Sequence, residues 1–195
     1  MILSRRPVLL GLSLLPEDEE TRALLADVAD MERLVNEFLA FARGDALEEA
    51  EMTDPVSLAR RVVENAQRAG QNVTLGTVAG GGMSLLRGQA VTRALENLVG
   101  NAVRFGKRAE VGVTVTDRAI RLTVEDDGPG IPASRREEAL GAFSRLDEAR
   151  DPNRGGGVGL GLTIAADIAR SHGGTLRLGK SDRLGGLLAE IVLAR

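Results

Sequence analysis

A chain of 195 residues has room for one domain of ordinary size and a short appendage. Its 43% hydrophobic and 27% charged residues exclude a disordered or collagen-like chain, and a net charge of −3 gives no general attraction to nucleic acid or anionic lipid. With no Cys and a single His, His172, disulfides, thiol catalysis and Cys-ligated or multi-His metal sites within one chain are excluded. Four Phe with no Trp or Tyr argue against an aromatic platform for single-stranded bases.

Residues 1–16 superficially resemble a secretory leader, with Arg5 and Arg6 ahead of Val8 to Leu15. Pro16 and an acidic stretch follow instead of a small-residue cleavage site, so the segment reads as the end of an amphipathic helix. No apolar run reaches the roughly 18 residues a membrane span requires. Cytoplasmic placement is the default expectation.

Residues 17–44 read as one helix. Glu17, Asp18, Glu19 and Glu20 crowd its start, where the helix dipole favours negative charge. Leu24, Val28, Met31, Val35, Phe38 and Ala42 form a heptad seam, and Leu25, Leu34, Leu39 and Phe41 widen it toward bundle packing. Gly44 marks the stop. A two-helix hairpin over 1–45 cannot bury both faces, so the expectation is a homodimer closed as a four-helix bundle, the alternative being that the helix packs on the rest of the chain. Residues 46–53 read as an acidic linker.

Asp54 and Pro55 supply an N-cap and a first helical position, opening a helix to about residue 69 before Gly70. Strands are expected over 72–79 and 84–87, around a Gly80-Gly81-Gly82 loop, and a long helix over 89–105. Val111, Val113 and Val115 alternate, Asp117-Arg118 turns, and Ile120, Leu122 and Val124 alternate again, which predicts a hairpin. Residues 128–157 are irregular, with a short helix near 134–143. A helix over 160–171 and strands near 175–179 and 187–193 complete the chain. Residues 54–195 thus read as one α/β domain of mostly antiparallel strands with three helices on one face.

Three elements could carry chemistry. Asn97 and Asn101 stack one turn apart beside Leu98 and Ala102, and Arg104 and Phe105 continue that face. Carboxamides there are costly unless they bind something, such as a hard cation with its waters and phosphate oxygens, or cap nearby backbone. Asp126 shares a strand face with Ile120, Leu122 and Val124, an expensive place for a carboxylate. Accepting from an exocyclic amine such as that of adenine would explain it; an ordinary Asp-Gly turn is the alternative. Gly155 to Leu162 is glycine-dense and runs into a helix, which suits phosphate at the helix start, or else a hinge. Two rival phosphate motifs fail. Gly100 to Lys107 has the wrong spacing for a P-loop and Arg108 where Ser or Thr is required, while Pro129 and Pro132 remove N–H donors from Gly128 to Ala133.

The ordered set of motifs resembles the sensor histidine kinases. Asn97-Leu98-Val99-Gly100-Asn101-Ala102-Val103-Arg104-Phe105 is similar to their N box. Asp126-Asp127-Gly128-Pro129-Gly130 resembles their first glycine box, Phe143-Ser144-Arg145-Leu146-Asp147 the F box, and Gly157-Val158-Gly159-Leu160-Gly161-Leu162 the second glycine box. His172-Gly173-Gly174 also sits where that family usually has it, and the resemblance covers 20–195. It implies the two-layer α/β sandwich shared by gyrase, Hsp90, histidine kinases and MutL, preceded by a helical hairpin. It implies ATP and Mg²⁺ as ligands, with Asn101 on Mg²⁺ and Asn97 helping. Arg104 would meet phosphate, and Phe105 and Ile131 would line the nucleotide pocket. Asp126 would read the adenine amine in a pocket shaped by Gly128 and Gly130. Gly157, Gly159, Leu160 and Gly161 would approach the phosphates. Residues 131–156 would be a mobile lid anchored by Phe143, with Arg145, Arg150 and Arg154 as candidate contacts.

The departure is at the front. Residues 20–43 resemble the second helix of the dimerisation and phosphoacceptor domain, but the acceptor His would fall at or before Met1. His172, closing a helix before two glycines, reads as a cation at a helix C-terminus rather than as its replacement. The implied activity is therefore transfer of the ATP γ-phosphoryl group to a His of another chain or of a missing N-terminal segment. A response regulator or partner kinase would be engaged, at the cytoplasmic end of a membrane sensor if the start is truncated. The alternative is a nucleotide-gated binding module. A gyrase-like ATPase is disfavoured, since Asn97 stands where those relatives place a water-activating Glu and Glu96 is rotated about 100° away. An anti-sigma serine kinase is disfavoured by the heptad helix.

Overall fold

The computed structural model describes residues 48–141 and 160–195. The expected helical hairpin over 1–45 lies outside them, as does most of the expected lid.

The chain opens with β1 (Glu51–Thr53), α1 (Pro55–Arg68), β2 (Val73–Ala79), β3 (Ser84–Leu86) and α2 (Gly88–Phe105). It continues with β4 (Ala109–Val115), β5 (Ala119–Asp126), a 3₁₀ turn (Ala133–Arg135) and α3 (Arg136–Ala139). After the second described segment begins come α4 (Gly161–Ser171), β6 (Thr175–Lys180) and β7 (Leu187–Ala194). The predicted helix near 134–143 is thus a 3₁₀ turn and one short α-helix, ending by Leu140.

Five strands form one sheet in the order β2-β4-β5-β7-β6. Only β2 and β4 run parallel, which requires a crossover, and α2 provides it. The alternation in β4 and β5 becomes register: Val111 faces Val124, Val113 faces Leu122 and Val115 faces Ile120. Ala189, Ile191 and Leu193 of β7 extend that row opposite Val124, Leu122 and Ile120. This face is buried under α1, α2 and α4, each offering a stripe two residues wide: Leu58, Val62 and Ala66; Val91, Leu95, Leu98 and Ala102; Ile164, Ile168 and Ala169. The opposite face is charged, with Arg121 paired to Glu190 at 3.1 Å and Arg183 bridging Glu110 and Glu125.

Asp54 starts α1. Its Oδ1 accepts from the Val56 N–H at 3.1 Å and its Oδ2 from the Ser57 N–H and hydroxyl at 3.2 and 2.6 Å. These bonds, the Ser57 hydroxyl first, hold its carboxyl below the usual range. The cap is therefore intact at every pH at which an ordinary Asp is ionised, and is lost only as pH falls through the depressed value.

The supposed linker is partly structure. Glu51–Thr53 pairs antiparallel with β3 as a two-stranded sheet. The Glu48 carboxylate accepts from the Gln89 and Ala90 N–H groups at 2.7 and 2.9 Å. Arg87, at the N-cap of α2, makes no side-chain cap, so Glu48 satisfies amides the local sequence leaves unpaired. Residues 48–53 belong with the α/β unit for that reason. Among the described residues, no helix is long and apolar enough to cross a membrane.

Gly100 lies inside α2 on its exposed side, and a Cβ there would meet nothing within 4 Å. Gly100→Ala is therefore expected to stabilise the ligand-free chain by about 0.5–1 kcal/mol, through lower unfolded-state entropy and better helix propensity. Urea unfolding followed by circular dichroism checks this; destabilisation would show that the position is more crowded than its geometry indicates.

Candidate functional site

Asn97 and Asn101 lie one turn apart on α2, both half-buried. They meet the first residue of α4. A Cβ built on Gly161 would stand 3.3 Å from Asn101 Nδ2, 3.6 Å from Asn101 Oδ1 and 3.7 Å from Asn97 Cβ. The absence of a side chain lets the helix start sit over the two amides. Asn97 Nδ2 is buried without a hydrogen-bond partner, an arrangement that costs about 1–3 kcal/mol unless something fills it. Leu160, the N-cap of α4, provides no side-chain acceptor. The first N–H groups of this eleven-residue helix therefore converge with the orphan amide, a donor set suited to an anion. Thr163 secures the helix start by donating to the Leu140 and Gly141 carbonyls at 3.3 and 3.1 Å.

Asp126 ends β5 with only 5% of its surface exposed. Its Oδ1 accepts from the Gly128 N–H at 2.8 Å and the Leu187 N–H at 3.0 Å. Burial pushes the carboxyl above its ordinary value, and the two amide donors oppose that rise without cancelling it. Asp127 next door is driven the other way. Its Oδ1 accepts from the Arg108 and Lys107 N–H groups at 3.0 and 2.7 Å, which lowers its pKa. Asp127 thereby ties the turn after α2 to the end of β5. Sequence reasoning gave Asp127 no role; alternation along β5 already turned Asp126 inward, but nothing local shows which amides Asp127 meets.

A Cβ on Gly128 would stand 2.9 Å from the Phe105 carbonyl oxygen and 3.0 Å from Asp126 Oδ1. Gly130 has φ of +69° and is likewise packed, against the Gly186 carbonyl. This close packing is what a turn between two elements needs and what a side chain would prevent. Ile131 is half-buried, and its carbonyl accepts from Arg136 Nε at 3.1 Å. Leu160 packs against the core. Phe105 is 53% exposed, with the Arg104 guanidinium 5.2 Å above its ring. Phe105 thus faces solvent beside the site as a cation–π partner. Phe143, Gly157 and Gly159 lie outside the described residues, as do Arg145, Arg150 and Arg154.

His172, at the C-cap of α4, makes contacts through both ring nitrogens. Its Nδ1 is 2.8 Å from the Ile168 carbonyl oxygen, and its Nε2 accepts from the Arg87 N–H at 3.2 Å. The residue ties the end of α4 to the start of α2, about 16 Å along the helix from the glycine end that meets the amides.

The donor chemistry fits a hard divalent cation. Carboxamide oxygens are suitable ligands, and no group of three or more His, Cys, Asp or Glu capable of holding a metal occurs among the described residues. An ion at Asn101 would draw its other ligands from water or phosphate, which is the habit of Mg²⁺.

The family model described as histidine kinase-, DNA gyrase B- and HSP90-like ATPase matches residues 87–193. The chain is 35% identical over 173 residues to the sensor protein RstB of Escherichia coli K12, covering 86% of this chain and 40% of that protein. It is 32% identical over 178 residues to the sensor histidine kinase CpxA of the same strain, covering 88% and 38%. The solved histidine kinase domain of the E. coli osmosensor EnvZ superposes with a TM-score of 0.57 at 31% identity, over 75% of this chain and 89% of that domain. The chain spans about 40% of the length of the curated relatives it matches. It belongs to the histidine kinase-, DNA gyrase B- and HSP90-like ATPase family, and its α/β sandwich is that family's fold.

The raised carboxyl of Asp126 carries a sign. Its proton-linked stability is fully present below the ordinary carboxylate value near 3.9 and is lost as pH rises through the raised folded-state value. At neutral pH the ionised group therefore costs stability. Asp126→Asn keeps an acceptor for both amides, so it is expected to match or exceed the wild-type melting temperature at pH 7. The advantage should vanish toward pH 4. A clear loss of stability at pH 7 would show that the charge itself holds the turn.

Proposed function

We propose that this chain is the ATP-binding catalytic part of a two-component sensor histidine kinase. It would transfer the γ-phosphoryl group of ATP to a His on another chain or on a segment outside this sequence. The observation that carries the reading is an orphan amide on α2 beside the start of α4, together with a buried strand-end carboxylate, within one family fold.

The roles follow from the donor types. Asp126, with Oδ1 occupied by two amides, offers Oδ2 to the adenine amine. Asn97 Nδ2 and the first N–H groups of α4 receive phosphate oxygens, and Asn101 supplies a carboxamide oxygen to the cation. Mg²⁺, when bound, neutralises charge on the phosphates. Arg104 lies at the open end of the same helix face, where it can meet phosphate. Gly128, Gly130 and Ile131 shape the nucleotide pocket, and Gly157, Gly159, Leu160 and Gly161 carry the backbone approach to the phosphates. Phe143 would anchor the lid.

Phosphoryl transfer asks the protein mainly to position an in-line nucleophile and stabilise charge. His172 cannot be that nucleophile where it stands, since both ring nitrogens are engaged and it sits at the far end of α4. Residues 1–45 would bring two copies together and present or receive the acceptor, with a response regulator taking the phosphoryl group onward. This would place the chain at the cytoplasmic end of a sensor. A second reading, a nucleotide-gated module without phosphotransfer, draws support from the single, structurally engaged His.

The test mixes the chain with labelled ATP, Mg²⁺ and a related kinase whose own ATP site is inactivated but whose acceptor His is intact. Label on that His is the expected result. Tight nucleotide binding without label would select the second reading, and no nucleotide binding would defeat both. Asp126→Asn is expected to weaken ADP binding by about 1.5–3 kcal/mol, roughly 10- to 150-fold. That loss should also erase the fall in affinity that wild type shows on acidification, which begins at higher pH than for an ordinary Asp. Asn101→Ala should abolish the Mg²⁺ dependence of affinity while leaving binding without metal. Calorimetric titration with and without Mg²⁺ reads both variants.

A further inference from the structure

The turn between β6 and β7 is built with more care than a connection of its length needs. Ser181 is fully buried. Its hydroxyl donates to Glu125 Oε2 at 2.6 Å and accepts from the Leu184 N–H at 2.9 Å. Its carbonyl accepts from the Gly185 N–H, and its own N–H donates to the Gly186 carbonyl, both at 2.9 Å. The closed loop is thereby latched to Glu125, the residue immediately before Asp126.

Gly186 is where this loop touches the candidate nucleobase site. Its N–H donates to the Asp126 carbonyl at 3.0 Å. A Cβ at Gly186 would fall on Asp126 Oδ1 itself, 2.5 Å from the Asp126 carbonyl oxygen and 2.6 Å from the Gly128 nitrogen. Two of those three atoms are backbone, so no rotamer change relieves the clash. Neighbouring glycines differ. Gly185 has open space, and a Cβ on Gly179 would make ordinary contact with Leu188 at 3.6 Å.

The consequence concerns which carboxylate oxygen is free. Oδ1 is held by Gly128 and by Leu187, the residue after Gly186. Oδ2 has no hydrogen-bond partner among the described residues. We infer that Gly186, set by the Ser181 turn, is a positioning residue that locks Oδ2 of Asp126 toward the nucleobase and so sets discrimination between 6-amino and 6-oxo purine nucleotides. This rests on the reading of Asp126 as the adenine contact. A 6-amino group donates to a fixed carboxylate oxygen, whereas a 6-oxo group opposes it with an acceptor. A carboxylate that cannot rotate away rejects the second strongly. Once Gly186 carries a side chain, the 126–128 turn shifts, the Oδ1 bonds loosen, and the fixed orientation is lost.

The experiment titrates the full chain with ADP and with inosine diphosphate by calorimetry. Wild type is expected to prefer ADP by roughly tenfold or more. In Gly186→Ala the ADP affinity should fall while the inosine diphosphate affinity holds, bringing the two within about threefold. Ser181→Ala, which keeps the glycine but loosens its loop, should lie between, and it serves if Gly186→Ala fails to fold. Gly179→Ala in the same hairpin should keep the wild-type ratio. A merely structural Gly186 would lower both affinities together, and an unchanged ratio in both Gly186→Ala and Ser181→Ala would overturn the proposal. A wild-type chain that binds both nucleotides equally would instead overturn the adenine reading of Asp126, and with it this inference.

Discussion

A carboxylate at the end of an apolar strand is the constraint around which the rest of this structure is arranged. Asp126 shares its face of β5 with Ile120, Leu122 and Val124, all at 2% exposure or less. Burying a charge there is unfavourable without partners. The fold supplies two backbone amides from different elements, one from the turn after β5 and one from the start of β7. They occupy one oxygen only. The other remains available, and the raised pKa records how incomplete the compensation is. Such unrelieved cost is common where a ligand completes the set of partners.

The second unrelieved cost lies across the site. Asn97 keeps an amide nitrogen buried and unpaired at the point where α4 begins on Leu160, which gives no side-chain cap. Either feature alone would be a small local defect. Together, and brought close by the bare Cα of Gly161, they form a donor cluster that lacks an acceptor among the described residues. The carboxylate seeks a donor and the cluster seeks an anion. A nucleotide is one molecule that carries both, which is why the proposed function explains two separate structural costs at once.

Rigidity around the site comes from contacts distant in sequence. Asp127 bonds the amides after α2, Glu48 caps the amides at its start, and His172 joins that start to the far end of α4. The helix bearing the carboxamides is thus held at both ends by groups 19 to 85 residues away. Glu48 also explains why the expected linker ended too late: a stretch with weak local preference becomes ordered because a helix terminus needs its carboxylate.

Much of the architecture was legible in the chain itself. Period-two alternation in β4 and β5, the Asp54-Pro55 start of α1 and the stripe on α2 are local signals, because each depends on a residue's own backbone and its near neighbours. The stacked carboxamides and the strand-end acid were legible for the same reason: each breaks a local rule. Tertiary structure alone decided the rest. It set Asp127 on the amides after α2, tied His172 between α4 and α2, turned Phe105 to solvent and gave Gly186 its place against Asp126. Those outcomes depend on hydrogen bonds and close approaches between segments far apart in the chain, and no periodicity or spacing encodes which amide a carboxylate will meet after the strands have paired.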